Sequence, residues 1–265
     1  MQPKQQFEEI IKDLENRSIL SFSDAHSPAK MGREATVFEL EKPSYEQIRK
    51  AIIGSPTSSS PNSPLTTHPH ISFTIEFYPE EGKYHYTGHR NCGVVQTPDE
   101  TREKGAVCPV CKRLLTVGVM QRVQDLAREF KTHPAVGGTK FKIDEYGVKW
   151  IEDPIENRPP FVKLVPLLEI ISESLSSTVA SLKVKEAFDR LVDNFGSEIN
   201  VLLKTNFTDI ERVSGSKVSD GIKKVRTGDI TIAPGFDGEF GKVKIWPEDH
   251  QDKSQQETVE QKSLF

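Results

Sequence analysis

Apolar residues Phe7, Ile10, Ile11 and Leu14 recur at helical spacing and predict a short helix over residues 5 to 16. The run SILSFSD, 18 to 24, reads as a buried strand. SYEQIRKAII predicts a helix with Ser44 as its N-cap. Residues 54 to 69, GSPTSSSPNSPLTTHP, hold no core-forming run and predict a linker or a long surface loop. Alternation in SFTIEFY predicts a strand, and PEEG after it a turn. Thr97 and Pro98 in TPDETREKG predict a short helix that ends at Gly105. TVGVMQRVQDLAREF sets Val119, Val123, Leu126 and Ala127 on one helical face.

Further along, TKFKIDEYGVKWIED predicts a β-hairpin. FVKLVPLLEIISESL, SLKVKEAFDRLVDNF, FTDIERV and KVSDGIKKVRTG predict helices. DITIAPGFDGEFGKVKIW predicts two short strands around a glycine-rich turn, and residues 247 to 265 read as a polar tail. The pattern contains no internal repeat. The fold class it implies is α+β.

Composition narrows the function. With a formal net charge of −4, the 265-residue chain is not a uniformly basic nucleic-acid binder, although local basic patches remain open. The chain has no run of 18 apolar residues, so no membrane partner is expected. Its acidic, amphipathic start does not read as a signal peptide. Three cysteines cannot all pair, and two of them form a Cys-x-x-Cys. A reducing cytosol and metal binding are expected in place of disulfides.

The strongest chemical signal is HRNCGVVQTPDETREKGAVCPVC, which holds His89, Cys92, Cys108 and Cys111. Two ligand pairs, each with two intervening residues, stand either side of a fifteen-residue spacer, a common spacing for a structural zinc site. Four protein ligands close the coordination shell, so the expected role of Zn2+ is structural. The bland alternative is three free thiols and an incidental histidine. His85, four residues before His89, is the reserve ligand.

Around this site, residues 83 to 122 carry seven Lys/Arg against three acids. Arg90, Lys112, Arg113 and Arg122 are candidate phosphate contacts, and Tyr84 and Tyr86 suit base stacking. Ordinary solvated charge is the competing explanation. Near the start, Asp24 and His26 stand two residues apart, so on a strand both would face one side and serve one metal. On a loop they would be a turn residue and a surface histidine. Lys30 and Arg33 follow and are candidate phosphate ligands or plain surface.

Several segments together resemble the endonuclease Q family: SFSDAHSPAKMGREATVF, TIEFYPEEGKYHYTGHRNCG, CPVCKRLLTVGVMQRV, PPFVKLVPLLEII and PGFDGEFGKVKI. That resemblance implies a PHP-type (polymerase and histidinol phosphatase) metal domain first, then a zinc finger, then a mostly helical region. It implies DNA strand cleavage beside deaminated bases such as uracil or hypoxanthine. It assigns Asp24 and His26 to the last PHP metal motif, as catalytic-centre ligands for Mn2+, Mg2+ or Zn2+. The front of a PHP domain, which in that family supplies the His-x-His motif and most other ligands, is not in this sequence. The resemblance therefore lays the chain out as a C-terminal remnant of the PHP α/β barrel at 1–53, a Ser/Pro linker at 54–70, a zinc-finger module at 71–118, a mostly helical domain with a short β-hairpin at 119–246, and a tail at 247–265. No G-x-x-x-x-G-K-[ST] loop supports an ATP-driven motor.

The tail ends VEQKSLF, in which Gln261, Leu264 and Phe265 fit a Gln-x-x-Leu-Phe pattern that docks on a bacterial sliding clamp. Lys262 stands where that pattern favours leucine. Two functions follow as expectations. One is the DNA-engaging part of a cytoplasmic, nucleoid-associated repair endonuclease whose remaining PHP ligands come from a separate polypeptide. The other is a non-catalytic, zinc-stabilised DNA-binding or clamp-adaptor module.

Overall fold

Short polar caps and glycines set most helix boundaries in this computed structural model, which describes residues 17–27, 31–54, 68–129, 140–153 and 158–247. The predicted helix over 5 to 16, most of the 54–69 stretch, Lys30 and the tail with Gln261, Leu264 and Phe265 lie outside the described residues. Strand β1 spans Ala35–Glu39. Helix α1, Tyr45–Ile53, starts where the Ser44 side chain accepts from the Gln47 amide. Strand β2, His70–Glu76, leads into a single 3-10 turn, Pro79–Glu81. Strands β3 (Thr87–His89) and β4 (Val94–Gln96) form a small antiparallel pair. Helix α2 is Pro98–Lys104 and α3 is Val119–Glu129.

Strands β5 (Lys140–Ile143) and β6 (Lys149–Glu152) pair antiparallel, with Lys140 opposite Glu152. Strand β7 is Phe161–Lys163. The helices α4 (Leu167–Ser174), α5 (Leu182–Phe195), α6 (Glu198–Leu203), α7 (Phe207–Ser214) and α8 (Ser216–Thr227) follow. Strands β8 (Thr231–Ala233) and β9 (Lys242–Lys244) complete the described chain. None of the described helices is long and apolar enough to cross a membrane.

The main sheet is mixed, in the order β1-β2-β7-β6-β5, with β2 and β7 parallel and the other neighbours antiparallel. It draws together strands from residues 35–39, 70–76 and 140–163, which are far apart in sequence. Helices α4 to α8 supply most of the core. Ile75 and Val162 of the sheet are buried in one cluster with Leu167, Ile170, Ile171 and Ile222. Phe73 and Trp150 meet edge to face across the sheet, with ring centroids 4.9 Å apart.

Two expectations change. The stretch 18–24 forms no strand: the Thr36 hydroxyl accepts from the Ser21 amide at 2.8 Å and donates to the Ser21 carbonyl at 3.0 Å. A side chain thus satisfies the backbone groups that a ladder would have used. The helix predicted from Phe161 starts only at Leu167. Pro166 disfavours helical geometry just before it, and Phe161 and Val162 are buried beside β2.

Arg226 locks the helical half. Fully buried, it donates to the carbonyls of Val201 (2.7 Å), Leu202 (2.8 Å), Thr205 (2.8 Å) and Tyr146 (2.6 Å). Two of these carbonyls belong to the last turn of α6, where helical partners have run out. Burial pulls the guanidinium pKa down to about 10, so it stays charged at neutral pH. The substitution Arg226→Met keeps bulk and strips the donors. It is expected to cost on the order of 3 kcal/mol, read as a lower denaturant midpoint with unchanged slope.

Candidate metal centre

His89 ends β3 and is followed at once by a 3-10 turn, Arg90–Cys92, that delivers Cys92. Gly93 closes that turn in the left-handed region at φ 62°. The second pair sits in a tight hairpin. Cys108 donates its amide to the Arg113 carbonyl at 2.8 Å, and Lys112 donates its own to the Cys108 carbonyl at 3.0 Å. Strand-like bridges join Val107 to Leu114 and Gly88 to Thr116, so the two turns face each other. The donor atoms of His89, Cys92, Cys108 and Cys111 all lie within 4.8 Å of one another. Ligands around a tetrahedral ion stand about 3.3–3.8 Å apart, given bonds of about 2.0–2.3 Å. The His89 Nδ1 to Cys111 Sγ distance is 3.3 Å.

The chemistry of the donors fits a cation. All three cysteines are free thiols. Burial works against ionisation of Cys108, but hydrogen bonds from the Cys111 backbone, the His89 side chain and the Val110 backbone outweigh it, bringing its pKa to about 6. Cys92 is pushed up to about 11 by burial and by hydrogen bonding with Cys111 and Cys108. Three sulfurs this close cannot all carry negative charge unaided, and a bound cation removes that conflict. This His/Cys cluster can therefore hold a metal ion, and its closed four-donor set suits a structural role.

Helix α2 spans the gap between the turns and is held by a reciprocal cap. The Thr97 hydroxyl accepts from the Glu100 amide, and Glu100 Oε2 accepts from the Thr97 amide at 2.9 Å. Lys104 and then Thr97 hold the Glu100 carboxyl down at about 2. Gly118 leads into α3 over a close approach: a Cβ there would lie 2.3 Å from the Tyr86 carbonyl carbon.

The other candidates stand apart from this cluster. His85 is buried, donates through Nδ1 to the Pro79 carbonyl at 3.1 Å, and packs against Tyr86. Burial lowers its pKa, as for a neutral core histidine, and it is not among the four converging donors. Asp24 and His26 lie on an exposed turn instead of a strand, so the same-face argument does not apply to them. Their side chains are 98% and 94% exposed, 3.9 Å apart, and Asp24 has φ 44°. Among the described residues they join no group of three or more potential ligands.

Arg33 is committed to the fold by an ion pair with Glu81 and by stacking 4.9 Å over Phe77. Arg90, Lys112, Arg113 and Arg122 are exposed; Arg90 lies 3.9 Å from Glu239, and Lys112 donates to the Pro109 carbonyl. Sequence reasoning missed Asp237 and Phe240. Lys83 lies 4.4 Å over the Phe240 ring, and Phe240 and Tyr84 are exposed. Asp237 accepts from the Arg90 amide at 2.8 Å and from the Thr116 hydroxyl. These two bonds hold its carboxyl below the usual range. PGFDG is legible as a turn, but nothing local reveals its partners more than a hundred residues away.

Comparison with known proteins gives this geometry a context. Residues 166–229, the helices α4 to α8, match the family model described as MJ0043 C-terminal domain. The uncharacterized protein MJ0043 of Methanocaldococcus jannaschii is 29% identical over 247 residues, covering 91% of this chain and 27% of that protein. The uncharacterized protein YqxK of Bacillus subtilis is 24% identical over 235 residues, covering 88% of this chain and 48% of that protein.

Among solved structures, the lesion-specific endonuclease PfuEndoQ of Pyrococcus furiosus is similar with TM-score 0.68 and 30% identity, over 91% of this chain and 52% of that one. Endonuclease Q in complex with a 27-mer duplex substrate bearing an abasic lesion at its active site is similar with TM-score 0.66 and 30% identity, over 91% and 53%. The resemblance to endonuclease Q implied by the motifs is thus met in three dimensions, and the chain spans about half or less of these relatives.

Cys108→Ser removes a buried donor and is expected to abolish stoichiometric metal, counted by elemental analysis of protein purified without chelator. For Glu100, a folded pKa near 2 against an ordinary value of 4.5 means stabilisation that is full above 4.5 and lost as the pH falls through about 2. The melting-temperature difference between wild type and Glu100→Gln is expected to be constant above pH 4.5 and to shrink toward pH 2.

Proposed function

We propose that this chain is the DNA-engaging part of a DNA-repair endonuclease-like protein, acting on DNA at deaminated bases such as uracil or hypoxanthine. The observation that carries this reading is the likeness, over 91% of the chain, to an endonuclease Q solved on duplex DNA with an abasic lesion. A structural Zn2+ held by His89, Cys92, Cys108 and Cys111 fits the donor set and its closed geometry. The zinc-finger module then presents Arg90, Lys112 and Arg113 to phosphates, with exposed Tyr84 and Phe240 offering faces for an unpaired base. Arg122 and Lys30 belong to the same proposal, whereas the Arg33 guanidinium is taken up by Glu81 and Phe77.

Catalysis in this reading needs a complete PHP centre. Asp24 and His26 would supply two of its ligands and a separate polypeptide the others. Metal ions such as Mn2+, Mg2+ or Zn2+ bound there would supply activation of water toward a phosphodiester. The tail residues Gln261, Leu264 and Phe265 are proposed to dock on a sliding clamp. The full exposure of Asp24 and His26 favours a second reading, a non-catalytic zinc-stabilised DNA-binding or clamp-adaptor module.

The test uses duplexes that carry uracil, hypoxanthine or an abasic site, with Mn2+ or Mg2+, and with or without a PHP polypeptide bearing His-x-His. Nicking that requires the PHP polypeptide and fails with Asp24→Ala supports the first reading; binding without nicking under every condition supports the second. Combining Lys112→Ala and Arg113→Ala is expected to weaken binding to all duplexes alike and to flatten the salt dependence by about one to two units of logarithmic slope. An unchanged slope removes these residues from the DNA contact.

A further inference from the structure

The loop 234–241, PGFDGEFG, lies against residues 80–86, which lead into the first ligand-bearing turn, although it is far away in sequence. Its docking is secured by the backbone. Tyr86 donates to the Gly235 carbonyl (3.0 Å), Gly235 to that of Glu80 (2.8 Å), Gly238 to that of Lys83 (3.0 Å) and Gly241 to that of Glu81 (3.0 Å). The approach is close enough that a Cβ on Gly235 would lie 2.3 Å from the Gly82 carbonyl oxygen. None of these bonds uses a side chain, so the Asp237 carboxylate is not needed to dock the loop.

That carboxylate bridges the two halves of the metal cluster. Oδ2 accepts from the Arg90 amide, which directly follows His89 and heads the turn bearing Cys92. Oδ1 accepts from the hydroxyl of Thr116, which follows the Cys108–Cys111 hairpin. Thr116 in turn exchanges two backbone bonds with Gly88, at 3.0 and 2.9 Å, one residue before His89. Asp237 has φ 45°, a left-handed conformation that aspartate, asparagine and glycine tolerate better than other residues.

We propose that Asp237 is the positioning residue of the metal centre: one carboxylate, delivered by a remote loop, fixes the spacing of the two ligand-bearing turns. This rests on the reading of His89, Cys92, Cys108 and Cys111 as a metal site. Metal affinity and the seating of the 234–241 loop are then linked, because each narrows the same set of turn positions. Asp237 touches no ligand atom; it acts through the Arg90 amide and the Thr116 hydroxyl.

The test measures Zn2+ affinity of the full chain by competition with a chelator of known affinity, for wild type, Asp237→Gly, Asp237→Asn and Thr116→Val. Asp237→Gly keeps the positive φ and removes both bonds; it is expected to weaken Zn2+ binding about tenfold or more, the scale set by outer contacts at metal sites. Asparagine can accept from Arg90 and donate to Thr116, so Asp237→Asn should stay within about threefold of wild type. Thr116→Val cuts one arm and should fall between. If Asp237→Gly does not fold, Asp237→Asn and Thr116→Val carry the test.

Hydrogen exchange of the metal-free protein supplies an independent readout, with the Arg90 amide faster in Asp237→Gly than in wild type. A lower melting temperature with unchanged Zn2+ affinity would make Asp237 merely structural and overturn the proposal. Equal losses in the glycine and asparagine variants would assign the effect to charge and overturn it too. A wild-type protein that binds no Zn2+ removes the underlying metal reading along with this one, whereas tight wild-type binding with an indifferent Asp237 removes this one alone.

Discussion

The stretch from the 3-10 turn at Pro79 to the start of α3 depends on cross-links, because it has almost no apolar interior. Pro98, Cys108 and Leu115 are its buried apolar side chains, and Cys108 belongs to the His/Cys cluster. A segment of that size cannot offset its own ordering entropy by burial alone. Its order comes from polar fixings: four His/Cys donors within 4.8 Å of one another that can hold a cation, a reciprocal cap on α2, and backbone bonds from the 234–241 loop. Without a bound cation, ionised sulfurs at this spacing would repel one another and oppose the fold that brings them together.

The helical half rests on the opposite principle. Leu167, Ile170, Ile171, Leu191 and Ile222 are completely or almost completely buried, and one apolar cluster runs from β2 through to Ile245. Several of the polar groups that enter that core are satisfied there by backbone partners. Arg226 answers four carbonyls, and Glu198 accepts from the first amide of α4 at 2.7 Å. Glu173 accepts from both Ile245 and Trp246, which ties the last strand to α4. The chain just past β8 then returns to the metal-bearing stretch. A rigid hydrophobic body thus holds one end of a surface whose other end carries the four converging His/Cys donors.

Within that surface, charge and aromatic groups are arranged locally while the chain as a whole is acidic. Arg90 and Lys83 flank Gly238, Tyr84 and Phe240. Glu239 partly neutralises Arg90, so the stronger open cationic contribution comes from Lys112 and Arg113 on the Cys108–Cys111 hairpin.

Local physics made much of this legible from the sequence. The four donors announce themselves because zinc knuckles need short, fixed spacings, and the helix starts at Ser44, Thr97 and Ser181 follow from side chains that cap their own amides. Sequence alone therefore determined which His and Cys residues converge, where most helices begin, and the α+β class. Other features depended on partners far along the chain. The strand expected at 18–24 gave way to Thr36, a helix expected from Phe161 became strand β7 because β2 lay alongside, and His85 turned into the core. Whether Asp24 and His26 shared a face, and that Asp237 reaches Arg90 and Thr116, was decided by tertiary structure, because hydrogen-bond partners at separations of 121 and 147 residues leave no local trace.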